Sequence, residues 1–442
     1  MEPSAPIRPV YWSNGRVVLY EGEFSASYAD DVVQYEGAVF LDWQPKPRVT
    51  WQGTSSASTA AIAEFEHWQR PDPAPPAVAL PVELPSGTRR RGAYRPRQVA
   101  GTVRTSGTCD GMEFHRPGSD QCDVVTFNLI NGPDLTPLEP LRHRGYAWSG
   151  RWHLRDESWV ITLDARRDLR ERMKLVKRTN GYTFTHVGAL RRSDGAPFNS
   201  STAKGVLDDL FLFLTLIHSA TVGIALPVGT LDGETTWRRW TSGLSSPYRG
   251  FSWADPHTPA DLAQLWPNFR SARRDPRWSN ALLRAVRHYA EANQAVSTEV
   301  TLTLAQAALE LLGTAICVDR ETLVPADKWE TKKAAWKIRR LLRSRVPLDI
   351  PKAHRALARA AKTHAWSDGP QAVTALRNTV THWTTGKPTV DNAVWIEASQ
   401  LSVYYLEMAL LSALDYHGRA LDRTTRPLIV GGSKLVPWAT RS

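Results

Sequence analysis

Residues 367–388 read Ser-Asp-Gly-Pro-Gln-Ala-Val-Thr-Ala-Leu-Arg-Asn-Thr-Val-Thr-His-Trp-Thr-Thr-Gly-Lys-Pro. Ser367-Asp368-Gly369-Pro370 is a helix start signal, since a short polar side chain takes up first-turn amides and Pro fits the first helical position. Gly386-Lys387-Pro388 is a stop signal. Residues 375–383 between them have helical character. Asn378 and His382 are four apart, so on a helix they share a face. Arg377 lies beside Asn378, and its guanidinium can swing to the same place.

Working outward from this helix, nearly everything after Pro276 reads as helical. Residues 277–295 place Trp278, Leu282, Val286 and Tyr289 on one stripe, and 298–317 carry Val300, Leu304, Ala307, Ala308, Leu311 and Leu312. Helices over 327–345 and 351–365 follow. Residues 391–417 close the set with Val394, Ala398, Leu401, Tyr405, Met408 and Leu411. Short links between long amphipathic helices predict an antiparallel bundle. The segment 424–442 has no periodicity, but Ile429, Val430, Val436 and Trp438 give it apolar groups with which to dock.

The first 190 residues or so have a different period. Short runs rich in Val, Tyr, Trp and Phe, at 16–24, 38–43, 48–53, 122–130, 148–155, 159–164 and 182–190, read as strands, several with the alternation of half-buried ones. Residues 69–85, dense in Pro and Ala, read as a loop or extended edge. A basic patch follows at Arg89-Arg90-Arg91, Arg95 and Arg97 around Tyr94. Helices are expected at 203–221 and 259–272, with a loop rich in Gly, Ser, Trp and Pro over 227–256. The fold class is therefore α+β in two domains. A β-rich domain, sandwich- or barrel-like, takes residues 1–275, an all-α bundle takes 276–420, and a tail takes 421–442.

At 442 residues the chain is long for one core, so two domains are the natural expectation. The formal net charge of +11 favours polyanionic partners. The three cysteines, Cys109, Cys122 and Cys317, have no zinc spacing and make no disulfide framework, which fits a reducing cytosol. The N-terminus begins neither a signal peptide nor a basic presequence. The longest apolar stretch, 210–225, contains His218, Ser219 and Thr221 and is short for a bilayer. A soluble cytoplasmic protein without a membrane partner is expected.

An imidazole, a carboxamide and a fixed positive charge can suffice to cut RNA without a metal. The 2′-hydroxyl needs a base, the phosphate needs a cation, and the leaving oxygen needs an acid. An unperturbed imidazole titrates near neutrality, so His382 could do either proton job. By these boundaries it sits in the last helical turn, where the helix dipole favours imidazolium. Arg377 would hold the phosphate, and Asn378 would orient imidazole or phosphate. The competing reading makes Arg377 a surface cation, Asn378 an exposed polar residue and His382 a charge paired with its own helix end.

The Arg-Asn-x3-His pattern, late in an all-helical C-terminal region, resembles the Arg-x4-His signature of HEPN ribonucleases. Residues 185–198, Thr-His-Val-Gly-Ala-Leu-Arg-Arg-Ser-Asp-Gly-Ala-Pro-Phe, followed by the helix at 207–217, resemble the end of an ApeA-type N-terminal domain. Trp253-Ala254-Asp255 and Glu291-Ala292-Asn293 are similar too. The resemblance covers most of the chain and is weakest over the first 130 residues. It implies an abortive-infection endoribonuclease of anti-phage defence, a HEPN bundle, and an N-terminal sensor answering a phage-derived trigger. It also implies a homodimer in which two motif helices meet and supply the second imidazole. The substrate would be tRNA or another cellular RNA, cut to 2′,3′-cyclic phosphate ends without a cofactor or metal. Two other readings stay open: a non-catalytic RNA-binding module, and a dimeric scaffold whose Trp-rich N-terminal domain binds protein or glycan.

Further positions bear on these readings. The helix at 327–345 carries Lys328, Lys332, Lys333, Lys337, Arg339 and Arg340, then Arg343 and Arg345, with Trp329 and Trp336 seven apart. Phosphate binding along it and a solvated face over two inward tryptophans are both open. Glu310 could steer His382 or stay a surface carboxylate. His186 reads as a strand histidine fixing a turn, and His354 and His364 fit no metal spacing. Gly431-Gly432-Ser433-Lys434 lacks the earlier glycine and the following helix of a phosphate loop.

Overall fold

The computed structural model describes residues 4–11, 15–28, 31–55, 77–79, 97–99, 102–136, 138–247, 251–343, 345–381, 390–425 and 432–439. Six strands form the first sheet: β1 (Val17–Tyr28), β2 (Asp31–Asp42), β3 (Arg48–Ser55), β4 (Ala77–Ala79), β5 (Arg97–Val99) and β6 (Thr102–Thr108), in the order β4-β1-β2-β3-β6-β5. The second, eight-stranded sheet has β7 (Met112–His115) at one edge, and between β7 and β9 the chain makes the two-residue β8 (Gln121–Cys122). Its other strands are β9 (Val124–Ile130), β10 (Glu139–His143), β11 (Tyr146–Arg155), β12 (Trp159–Ala165), β13 (Phe184–Arg192), β15 (Gly223–Leu231) and β16 (Glu234–Trp240). They run β10-β11-β12-β13-β9-β15-β16-β7, and β14 (Phe198–Asn199) pairs with β8.

Side-chain alternation gives this sheet two apolar faces. One packs Met112, Phe114, Phe184 and Trp240 against Phe24, Tyr35, Val49 and Trp51 of the first sheet. The other turns Phe127, Trp152, Ile161 and Leu190 toward the helices. In β12, Trp159, Ile161 and Leu163 are buried while Val160 and Thr162 are not, the pattern expected of it. Gly188 is needed at the centre of β13, because a Cβ there would lie 2.2 Å from the Phe127 ring.

The helices are α1 (Leu169–Thr179), α2 (Ser200–His218), α3 (Pro259–Arg274), α4 (Ser279–Gln294), α5 (Thr298–Thr314), α6 (Ala326–Glu330), α7 (Ala334–Leu342), α8 (Arg355–Thr363), α9 (Gly369–Thr381) and α10 (Asn392–Ala413). Asn199 caps α2 by accepting the Thr202 amide at 2.8 Å. The helix stops where Ser219 turns left-handed. α5 runs on through a π turn, Ala315–Arg320, and is the central rod of the bundle, packed by α4, α7, α9 and α10. By length and composition Thr298–Arg320 could cross a membrane, but over half of it is buried inside the protein. The apolar run at 210–225 instead splits between α2 and β15.

Two expectations are corrected. Residues 227–256 are not one loop: β15 and β16 form a hairpin, turned by Asp232 and Gly233 at φ 52° and 84°. Pro227 is accommodated where the β9–β15 register shifts between Ala225 and Val228. The helix at 327–345 is broken into α6 and α7. On an unbroken helix Trp329 and Trp336 would be about 10 Å apart along the axis, whereas the break lets their rings meet edge to face at 6.0 Å. The helix α1 and the strands β6, β7 and β10 are additions to the elements expected from the sequence.

The two regions divided at 275 are closely packed. Asp275–Arg277 does make a turn, but a single apolar core runs from Cys122 through α2, α3 and the bundle to Val436. The Trp253 and Tyr416 rings meet edge to face across that seam at 5.3 Å. The tail docks as its apolar residues suggested: Val436 is buried and the Trp438 indole donates to Tyr416 O at 2.8 Å. Ile429, Val430 and Gly431, the residues 69–76 and 80–85, and Arg89, Arg90, Arg91, Tyr94 and Arg95 lie outside the described residues, while Arg97 sits in β5.

Candidate nucleic-acid interface

The start signal at 367–370 works as expected. Asp368 Oδ1 accepts the Gln371 amide at 2.9 Å, and α9 begins at Gly369. A Cβ on Gly369 would meet the Tyr405 hydroxyl at 2.1 Å, so glycine lets the helix start close against α10. Ala372, Val373 and Leu376 face the core. The opposite stripe, Gln371, Thr374, Ala375 and Asn378, lines an open cleft of about 700 Å³. Its other wall comes from Lys332 and Lys333, in the break between α6 and α7, and from Trp336 and Arg339.

Arg377 is half-buried and Asn378 exposed; Arg377 Nη1 donates to Asn378 Oδ1 at 3.4 Å. His382, one residue beyond α9, lies outside the described residues, as do Gly386, Lys387 and Pro388.

The six candidate cations part company. Lys332 and Lys333 are exposed, and among the described residues neither has a carboxylate within ion-pair distance. Lys332 Nζ stands 5.4 Å from the centre of the Trp336 ring. Arg339 is already committed. Its Nη2 donates to Asp368 Oδ1 at 2.9 Å and its Nε to the other oxygen, joining α7 to the start of α9. That carboxylate holds the guanidinium pKa above its ordinary value. Lys337 instead covers Trp329, whose indole donates to Thr314 at 2.9 Å. Lys328 and Arg340 do not line the cleft. Nor does Glu310: it is half-buried on α5 and accepts from Gln306 at 2.8 Å.

Gln371 and Thr374 are cleft residues that the sequence reading passed over, and Trp336, read there as an inward tryptophan, lines the cleft as well. The stripe 371/374/378 at helical spacing was the available signal. The wall facing it required knowing that residues 331–333 form a break. All three thiols are buried, and burial pushes Cys122 up to about 12 and Cys317 to about 11, so none presents a thiolate. His186 is buried beside Thr185, with its ring nitrogen 3.0 Å from the hydroxyl, in keeping with a structural histidine.

The segments that carried the likeness to a defence family are tie points of the core. Trp253 donates to Leu216 O at 3.1 Å and accepts the Leu421 amide at 2.7 Å through its own carbonyl. Asp255 accepts from Ser433, and Asn293 from Arg423 at 3.0 Å. The cleft sets a polar helix stripe opposite two exposed lysines and an indole.

Two family models match the chain: the YopA central domain over residues 117–251 and the YopA C-terminal domain over residues 275–433. The first spans most of the eight-stranded sheet and α2, and the second holds the bundle with the cleft. The chain is also similar to the SPbeta prophage-derived uncharacterized protein YopA of Bacillus subtilis (strain 168), at 26% identity over 440 residues, 98% of this chain and 97% of that protein. No solved structure matches.

Proposed function

We propose that the chain is an endoribonuclease of the HEPN type that needs no metal, with the α7–α9 cleft as the surface on which RNA lies. The observation that carries this reading is convergence. Asn378, from the Arg-Asn-x3-His motif, opens onto the same cleft as Lys332 and Lys333, some 45 residues earlier in the chain. In this reading Lys332 and Lys333 hold backbone phosphates and a base stacks on Trp336. Arg377 stabilises charge on the scissile phosphate, Asn378 orients it, and His382 transfers the proton. A second copy meeting at the motif helix would supply the second imidazole. The prophage origin of the similar protein fits an activity exercised between phage and host.

The continuous core bears on regulation. An N-terminal region that shares apolar packing with the bundle would act by altering the shape of the bundle rather than by undocking. The test compares wild type with Arg377→Ala and His382→Ala on mixed cellular RNA in EDTA, with the fragment ends mapped. Cleavage to 2′,3′-cyclic phosphate ends by wild type alone is expected. Equal cleavage by His382→Ala would sink the assignment. The non-catalytic reading rests on the same cleft and expects all three proteins to bind RNA and none to cut it.

A further inference from the structure

A second cavity, of about 640 Å³, lies on the far side of the eight-stranded sheet from the cleft, enclosed by the β10–β11 hairpin, the turn before α1 and the N-terminal segment. Its walls are held by bonds that leave little freedom. Arg151 grips Asp164 through two contacts of 2.8 Å and also donates to Ser4 Oγ at 2.7 Å and Ala5 O at 2.8 Å. Asp164 accepts the Ile7 amide at 2.7 Å, so residues 4–7 are strapped down as one wall. The Trp148 indole donates to Ala165 O at 2.9 Å, which fixes the plane of the ring. Gly150 is required beside it, since a Cβ would stand 2.6 Å from the indole nitrogen.

The charges are unequal. Both carboxylates on the lining are already matched, Asp164 by Arg151 and Asp168 by Arg166 and Arg172. Burial alone would raise the Asp168 pKa, but hydrogen bonds from Arg172 and Arg166 outweigh it and bring it to about 2. Arg8, Arg144 and Arg167 on the rim are exposed, and among the described residues none has a carboxylate partner. The Arg167 guanidinium lies 4.1 Å over the Tyr146 ring, and Tyr146 as a residue is 58% exposed. The result is a fixed indole, an open phenol and three unmatched guanidinium groups around a cavity of small-ligand size.

From this we infer that the cavity binds a nucleoside phosphate, free or as the 5′ end of an RNA. A flat base would lie on Tyr146, and the phosphate would be taken by Arg144 and Arg167. Guanidinium binds phosphate in a two-pronged way and stacks on flat rings, so the same side chains can serve both parts of the ligand. The site is built from other residues than the cleft and does not depend on the ribonuclease reading.

The test is calorimetry on the full chain with AMP, ATP and GTP, with adenosine and inorganic phosphate as partial ligands and a 5′-phosphorylated ten-residue oligoribonucleotide as competitor. At least one nucleotide is expected to bind, Arg144→Ala/Arg167→Ala to weaken it tenfold or more, and Tyr146→Ala to weaken the nucleotide but not phosphate. Displacement by the oligonucleotide would assign the site to an RNA end, and its failure to a free nucleotide. No binding of any nucleotide at 1 mM, unchanged binding to the double variant, or inorganic phosphate binding as tightly as the nucleotides would overturn the inference.

Discussion

The seam between sheet and bundle and the α7–α9 cleft are both rich in basic side chains, but they use them in opposite ways. Beside the seam the buried guanidinium groups of Arg270 and Arg423 are matched by carboxylates. Arg270 meets Asp209 and, at 3.2 Å, Asp156; Arg273 meets Asp209 at 3.0 Å. Further along, Glu407, fully buried, takes Arg423 Nε at 2.9 Å and the Tyr289 hydroxyl at 2.8 Å. Such pairs contribute little net stability but cost much when broken, so they fix which surfaces meet. In the cleft Lys332 and Lys333 face solvent, and among the described residues neither has a carboxylate within ion-pair distance. The difference separates charges spent within the fold from charges open to solvent, and the proposed function rests on the second kind.

The largest effect expected is on the seam as a whole. Residues 276–442 made alone would lose the partners of α4, and the fragment should be aggregated or molten by near-UV circular dichroism. A monodisperse, cooperatively melting fragment would show that the continuous core is not needed and that the two domains fold independently. Next comes Arg423→Ala, which leaves Glu407 buried without its cation and should cost about 3–5 kcal/mol in urea unfolding. Glu407→Met with Arg423→Met should recover most of that loss, because neither charge is then stranded.

Acid supplies a smaller effect. Burial lowers the His186 pKa from 6.5 to about 4. Between those values the unfolded chain takes up a proton that the folded chain refuses, so stability falls as pH drops from about 6.5 to 4, by roughly 2–3 kcal/mol. His186→Asn should flatten that part of the stability curve, and an unchanged slope would place the acid sensitivity elsewhere. The smallest effect on the fold should come from the cleft: Lys332→Glu/Lys333→Glu should shift the urea midpoint little, since both side chains are exposed.

The legibility of the two regions differed for a physical reason. Helical periodicity and caps announced α2 to α5 and α8 to α10, because those signals are local. The docking of the tail was readable from Val436 and Trp438. What could not be read were features set by distant partners: the break at Thr331–Lys333, imposed by Trp329 turning to Thr314, and the β15–β16 hairpin, whose Pro and Gly mimic a loop. Arg377 and Asn378 were legible as a motif. Their neighbours Lys332 and Lys333 were legible only as charge, and the shared cleft needed the fold.

The most direct measurement is the affinity of the full chain for RNA across a salt series, in a His382→Ala background so that substrate survives. Adding Lys332→Glu/Lys333→Glu should weaken binding at least tenfold and reduce the slope of log K against log salt by about 1.4, two lost phosphate contacts on a single strand. Unchanged affinity and slope would mean that RNA does not lie in the cleft, and the account of this face would be wrong.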